Sequence, residues 1–351
     1  MKKTLLILIS VLGLICSCKE KDNGPKTMQE KLCGEWHSIS LPEGLQKFLP
    51  PQSIAKLPPP KNDVHGQRAI YIHTKNLFIK IKENKTMIKL GVNSVLFKTV
   101  SFREAAEAIK KCGYDGVEIS AIAGMCEHLD LANWKTQKAE LIAIREELDL
   151  PFISTEVASQ DRERLLTAFE ACAEIGIPIV NIGPGGQMNN EETLKQSLET
   201  IQILAEDAEK FGITLCVKAH VGAAVWSTPT TLRMMDTITS PAFGVDMDPS
   251  HIHRAGENPA IALPQVLSKM KHIHIRDCKG EGPSPGAPAD QACGRGDIDL
   301  FGYFKAMVDQ NYDGPVDLEV IGPDQSYVDA TKIAAESYGY MNAILKKLGA
   351  R

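Results

Sequence analysis

From Ile88 onward the chain repeats one pattern. A short β-branched run is followed by a loop, then by ten or more residues with apolar positions three and four apart, ending near a glycine. The runs fall at 88–94, 115–120, 151–156, 177–182, 213–220, 243–248, 271–276 and 315–321, which predicts eight strands. Helical segments between them include 101–113, 161–176 and 190–212, and a further one over 327–349 closes the chain. Acidic residues sit in several first turns, and Gly113, Gly176, Gly212 and Gly349 follow the last turns, matching the preferences of helix ends. Eight alternating units in about 260 residues predict a closed (β/α)8 TIM barrel over 88–351. A doubly wound open sheet is the other arrangement this alternation permits. No strand, however, leads into the GxGxxG turn of a dinucleotide-binding fold, and Gly183-Pro184-Gly185-Gly186 lacks its spacing.

Alternation inside a barrel strand separates residues that face the interior from those that face the helices. In the fifth run Leu215, Val217 and Ala219 oppose Cys216, Lys218 and His220. In the sixth, Val245 and Met247 oppose Asp246 and Asp248; in the seventh, Ile273 and Ile275 oppose His272, His274 and Arg276. In the eighth, Val316, Leu318 and Val320 oppose Asp317 and Glu319. The apolar parity must face the helices, so four neighbouring strands send polar groups inward, where an unpaired charge costs several kcal/mol. Asp248, His274 and Glu319 form a carboxylate–imidazole–carboxylate set suited to a divalent metal such as Mn, Mg, Co, Fe or Zn. His251, three residues after Asp248, is within reach of the same pocket as a substrate contact. His253 is expected in an exposed loop, and His272 one step deeper, behind His274.

The region before the barrel has a different character. MKKTLLILISVLGLICSC is a lysine pair followed by an apolar run too short to span a membrane, which predicts a secretory leader over 1–18. Its end resembles a lipobox, with Cys18 as the lipidated residue. The expected location is therefore the cell envelope, outside the cytoplasm, with membrane attachment through the lipid anchor only. Residues 19–87 are expected to form a tether and a small appendage, in which 69–73 and 77–81 read as a β-hairpin or two short strands. The formal net charge of -5 argues against a nucleic-acid partner. Cys33, Cys112, Cys126, Cys172, Cys216, Cys278 and Cys293 show no framework spacing and read mostly as buried thiols.

The patterns Asp248-Pro249-Ser250-His251, His272-Ile273-His274-Ile275-Arg276-Asp277, Gly294-Arg295-Gly296-Asp297 and Asp313-Gly314-Pro315-Val316-Asp317-Leu318-Glu319 resemble the xylose-isomerase-like superfamily of sugar (phosphate) isomerases and epimerases. The resemblance covers about three quarters of the chain. It implies a divalent metal held by Glu, Asp, His and Glu from successive strands, the last three being Asp248, His274 and Glu319 here. It also implies a substrate contact at Arg295. Where those enzymes carry a glutamate at the end of the fifth strand, this chain has Lys218, with His220 retained two residues on. An ammonium about 4 Å from a dication is repelled by roughly 8 kcal/mol at an effective dielectric of about 20. Lys218 is therefore a neutral, reactive amine beside a metal, or a charged partner of Asp246 or Glu156, or a sign that no metal binds.

These residues and the resemblance together imply a metal-dependent sugar isomerase- or epimerase-like enzyme that removes a proton next to the carbonyl of a small neutral sugar or keto-sugar. Glu319, Lys218 and His220 are the candidate catalytic groups, and His251, Arg295 and Glu156 the candidate substrate contacts. A lyase or hydratase acting on 3-keto-glycosides by β-elimination uses the same carbanion chemistry. A non-catalytic carbohydrate-binding lipoprotein is the alternative of a different class.

Overall fold

Eight parallel strands close on themselves in chain order in this computed structural model, which describes residues 87–351 in full and the backbone of three strands before them. The predicted leader, Cys18 and most of the tether lie outside the described residues. The three earlier strands are β1 (Lys61–Asn62), β2 (Arg68–Thr74) and β3 (Leu77–Lys82). They form an antiparallel sheet whose β2–β3 register runs from Ala69↔Lys82 to Thr74↔Leu77, so the expected hairpin is present with a short strand added beside β2. Residues 1–84 and 85–351 divide into separate units.

The barrel strands are β4 (Leu90–Asn93), β5 (Gly116–Ile122), β7 (Phe152–Glu156), β8 (Ile179–Ile182), β9 (Thr214–Lys218), β10 (Phe243–Asp246), β11 (Met270–Ile275) and β12 (Val316–Leu318). A two-residue strand, β6 (Cys126–Glu127), turns back antiparallel on the end of β5. β4 pairs with β5 on one side and β12 on the other, which closes the ring and removes every exposed edge from the eight. Helix ends follow the sequence signals. Ser101 and Glu104 form a reciprocal capping box, and Gly113 takes the left-handed conformation at φ 99° that a side chain would disfavour. The barrel's first and last residues are clasped together, since Ile88 N–H donates to Ala350 O at 3.1 Å and Arg351 pairs with Asp115.

Three strands end two or more residues earlier than their hydrophobic runs suggest, β9 at Lys218, β10 at Asp246 and β12 at Leu318. After β10 the cause is local. Asp248 caps the short helix Pro249–Arg254 by accepting from Ser250 N–H at 2.7 Å, and Pro249 has no N–H to give a ladder. The polar residues at positions 218, 248 and 319 therefore sit at or just past the C-terminal ends of their strands, the face on which TIM barrels build active sites.

The interior is polar along much of its depth. Glu118, Ser154, Asn181, Asp246, His272, His274 and Asp317 are all buried completely. The aliphatic residues of opposite parity, among them Val117, Ile119, Leu215, Val217, Val245, Ile273, Val316 and Leu318, belong to the hydrophobic cluster shared with the helices. Gly91, opposite Asp317 in the β4–β12 register, leaves the space the Asp317 carboxylate occupies. A β-carbon there would collide with that carboxylate and approach Ile153 to 2.8 Å. Gly91→Ala should lower unfolding free energy by about 1–3 kcal/mol through overpacking, read as a reduced urea midpoint at unchanged m-value.

Candidate active site

Two layers of charge fill the upper half of the barrel. The lower layer is organised by Asp246, whose oxygens face the Nδ1 atoms of His272 at 3.1 Å and His274 at 2.6 Å. The remaining ring nitrogens meet carboxylates too, His272 Nε2 with Asp317 Oδ2 at 2.7 Å and His274 Nε2 with Glu118 Oε2 at 2.5 Å. Ser154 Oγ joins the layer, donating to Glu118 within 3.0 Å and lying 3.1 Å from His272 Nε2. Asn181 Nδ2 donates to Glu118 Oε1 at 2.6 Å. Burial opposes charge on both imidazoles, yet Asp246 and the facing carboxylates outweigh it, so His272 is pushed up to about 9 and His274 well above its usual range. A carboxylate on each nitrogen favours the imidazolium form of both rings.

The upper layer is where solvent begins to reach. Glu156, Lys218 and Glu319 keep 3–4% exposure, against 0% for the histidines beneath them. Lys218 Nζ donates to Glu156 Oε1 at 2.9 Å and to Glu319 Oε1 at 2.8 Å. Burial disfavours the ammonium, but Glu156 and Glu319 more than compensate and raise its pKa above the ordinary lysine value. Arg276 completes the arrangement, with Nη2 2.7 Å from Asp248 Oδ2 and Nη1 3.3 Å from Glu319 Oε2. Glu319 is thereby held between two cations, and against the effect of burial Lys218 and Arg276 keep its carboxyl well below the usual range. Glu156 bonds one cation, Lys218, together with an amide donor, Asn93 Nδ2 at 2.8 Å. Burial first, then the repulsion of Glu319, pushes Glu156 up to about 7.

The expected residues meet different fates. Glu156, Lys218, His274 and Glu319 come together, as anticipated in part by the pairing of Lys218 with Glu156. The neutral-lysine alternative gives way to a charged one, because two carboxylates within 3 Å stabilise the ammonium. Asp248 is drawn off to Arg276 and does not join His274. His251 is fully buried, with Nδ1 2.7 Å from Arg254 Nη2 and Nε2 2.9 Å from Arg276 Nη2; burial and these guanidiniums keep it neutral. It lies against the exposed His220, ring centroids 3.9 Å apart, so His220 rather than His251 presents an edge to solvent. His220 donates from Nδ1 to Val221 O at 2.9 Å, which leaves Nε2 as an acceptor. His253 is half-buried rather than exposed. Arg295 stands apart, its guanidinium held by both oxygens of Glu336 on the last helix. Glu118, Asn93, Ser154 and Asn181 lie on the first four strands of the barrel, outside the inward polar set read from the last four. The alternation of Val117 and Ile119 with Glu118 and Ser120 carried the same inward signal on β5 as on the later strands. Among the described residues six cysteines are free thiols, five of them buried, as expected.

Two groups bring three possible ligand atoms within 4.8 Å of one another: Glu118, His272 and His274 below, and Glu156, His274 and Glu319 above. The barrel thus contains ligand sets that could hold a metal ion, though not the Asp248–His274–Glu319 set expected. As arranged, the upper set does not fit a dication. Lys218 already bonds two of its three members and stands where an ion shared by them would sit, while each nitrogen of His274 is engaged by a carboxylate. The lower set shares His274 and is completely buried, so an ion there would not meet a substrate.

Comparison with known proteins agrees with the fold. Residues 106–344 match the family described as xylose isomerase-like TIM barrel. An inosose dehydratase of Clostridium perfringens is 28% identical over 147 residues, 37% of this chain and 48% of the relative, so the chain spans about half the length of that relative. An inosose dehydratase of Clostridium beijerinckii is 21% identical over 309 residues, covering 73% of this chain and 99% of the relative. Among solved structures, the IOLI protein with a bound zinc atom aligns at TM-score 0.62 and 19% identity, covering 74% of this chain and 99% of that one. D-allulose 3-epimerase from Methylomonas sp. aligns at TM-score 0.59 and 16% identity with the same coverage. At these identities the solved structures establish the fold.

The charge network sets a pH window for stability. His272 has a folded pKa of about 9, above its ordinary 6.5, so the folded state binds its proton more tightly than the unfolded chain. That contribution is complete below about 6.5 and is lost as pH rises through about 9. Thermal melts should therefore show a falling Tm between these values, and His272→Asn should flatten that decline while lowering Tm at pH 6.

Proposed function

Because the chain belongs to the xylose isomerase-like TIM barrel family, we propose that it is an enzyme removing the proton from a carbon next to the carbonyl of a neutral sugar, keto-sugar or ring polyol ketone. The observation that carries this reading is the pair Glu156 and Glu319, two carboxylates joined through Lys218 at the solvent limit of the barrel, with Arg276 adding a second cation to Glu319 alone. Burial and Glu319 push Glu156 up to about 7, and against burial the two cations hold Glu319 low. A carboxyl near 7 is matched to proton transfer at neutral pH, whereas one fixed as an anion serves to hold charge. Glu156 is thus the acid–base group, and Glu319 the fixed anion that positions Lys218 and Arg276. His220, neutral and with a free Nε2 at the rim, is placed to accept a hydrogen bond from a substrate hydroxyl.

Within this reaction class the pair favours dehydration over epimerisation. Epimerisation at one carbon needs a base on one face and an acid on the other, both able to exchange protons. Here one carboxyl is poised and its neighbour is locked by two cations. A single poised group suffices to take the C–H proton and return it to a departing β-hydroxyl as water. The inosose dehydratases among the relatives support the same direction.

Incubation in deuterium oxide with a panel of ketoses, 3-keto-glycosides and inososes tests the proposal. The expected result is deuterium incorporated next to the carbonyl, or loss of water to an enone, with an ascending limb in kcat/KM centred near pH 7. Glu156→Gln should remove that limb and lower the rate by about 100-fold or more. No exchange and no elimination with any member of the panel would refute it.

A further inference from the structure

We propose that the ammonium of Lys218, backed by Arg276, takes the place of a divalent ion at the barrel mouth and supplies the positive charge that stabilises the substrate oxyanion. The inference rests on the proton-abstraction reading and names how that same site handles charge.

Three observations lead to it. Lys218 Nζ lies between two carboxylates, bonded to both at 2.8–2.9 Å, in the position a cation shared by Glu156 and Glu319 would take. Arg276 supplies a second positive charge to the other oxygen of Glu319 and to Asp248. Two side-chain cations together carry the charge of one dication, and they reach three of the carboxylates an ion would need. A dication brought beside Lys218 would be repelled by the ammonium at close range, so the two exclude one another.

The same layout gives the ammonium its role. When the C–H bond breaks, its proton passes to the Glu156 carboxylate, the electron pair forms the carbon–carbon double bond and the negative charge collects on the former carbonyl oxygen. A fixed cation beside that oxygen lowers the barrier without reorganising at the moment of reaction. Lys218 is held for this by Glu319 as well as by Glu156, so protonation of Glu156 leaves the ammonium paired with a second carboxylate.

The test reads metal binding, not turnover. Full-length protein is loaded with Co(II), desalted, and examined for bound metal and visible d–d absorption, alongside Lys218→Met and Lys218→Glu. Either substitution removes the ammonium from among Glu156, Glu319 and His274. The expected result is a rise from near zero to about one equivalent of Co(II) in the variants, lost again when Glu319→Gln is added. Two variants guard against a folding failure in one, and far-UV circular dichroism identifies it. A wild type that already retains one equivalent, lost on Glu319→Gln, would overturn the proposal. So would folded Lys218 variants that gain none. Either result stands regardless of whether a substrate has been found.

Discussion

An ammonium shared by two buried carboxylates is the contact on which the upper barrel depends. Lys218, Glu156 and Glu319 come from three different strand ends, and neither carboxylate could be buried as an anion there without the ammonium between them. Together they fix the spacing of β7, β9 and β12 at the mouth. Arg276 then ties Glu319 to Asp248 and, through Ser250 and His251, to the short helix after β10. Breaking the central contact would leave two carboxylates facing one another in a region almost closed to water.

Buried ion networks are poor stabilisers compared with well-packed aliphatic side chains of the same volume. Most TIM barrels fill this space with Val, Ile and Leu. The retention of six carboxylates, two histidines, a lysine and an arginine in one interior therefore calls for a reason other than stability. Gradation within the network supplies one. Below, charges are matched on every ring nitrogen and are closed to solvent. Above, one carboxyl is balanced near neutrality while its neighbour is not, which is what a proton-transfer site requires.

Much of this was legible in the chain. Strand and helix alternation yielded the barrel, because each element is set by local periodicity and by caps such as Ser101 and Gly113. Parity placed Lys218, His274 and Glu319 inward for the same reason. Parity does not say which counter-charge a residue finds across the barrel. Asp248 faces inward as expected, yet Arg276, longer and permanently charged, reaches it first. Lys218 could have turned to Asp246, its register partner, but Asp246 is taken by two imidazoles. Arg295 lies in a loop without periodicity, and only the fold reveals that Glu336 on the last helix lies beside it.

The chemistry of the barrel mouth turns on the proton carried by Lys218, and that proton is directly observable. Nitrogen-15 NMR of lysine-labelled protein, with the Lys218 signal assigned by its loss in Lys218→Met, reports whether Nζ is an ammonium or an amine. An ammonium persisting beyond the ordinary lysine pKa is the predicted result, since Glu156 and Glu319 raise its affinity for the proton. A neutral amine at pH 7 to 8 would contradict the central claim, and would restore a nucleophilic lysine as the reading of this site.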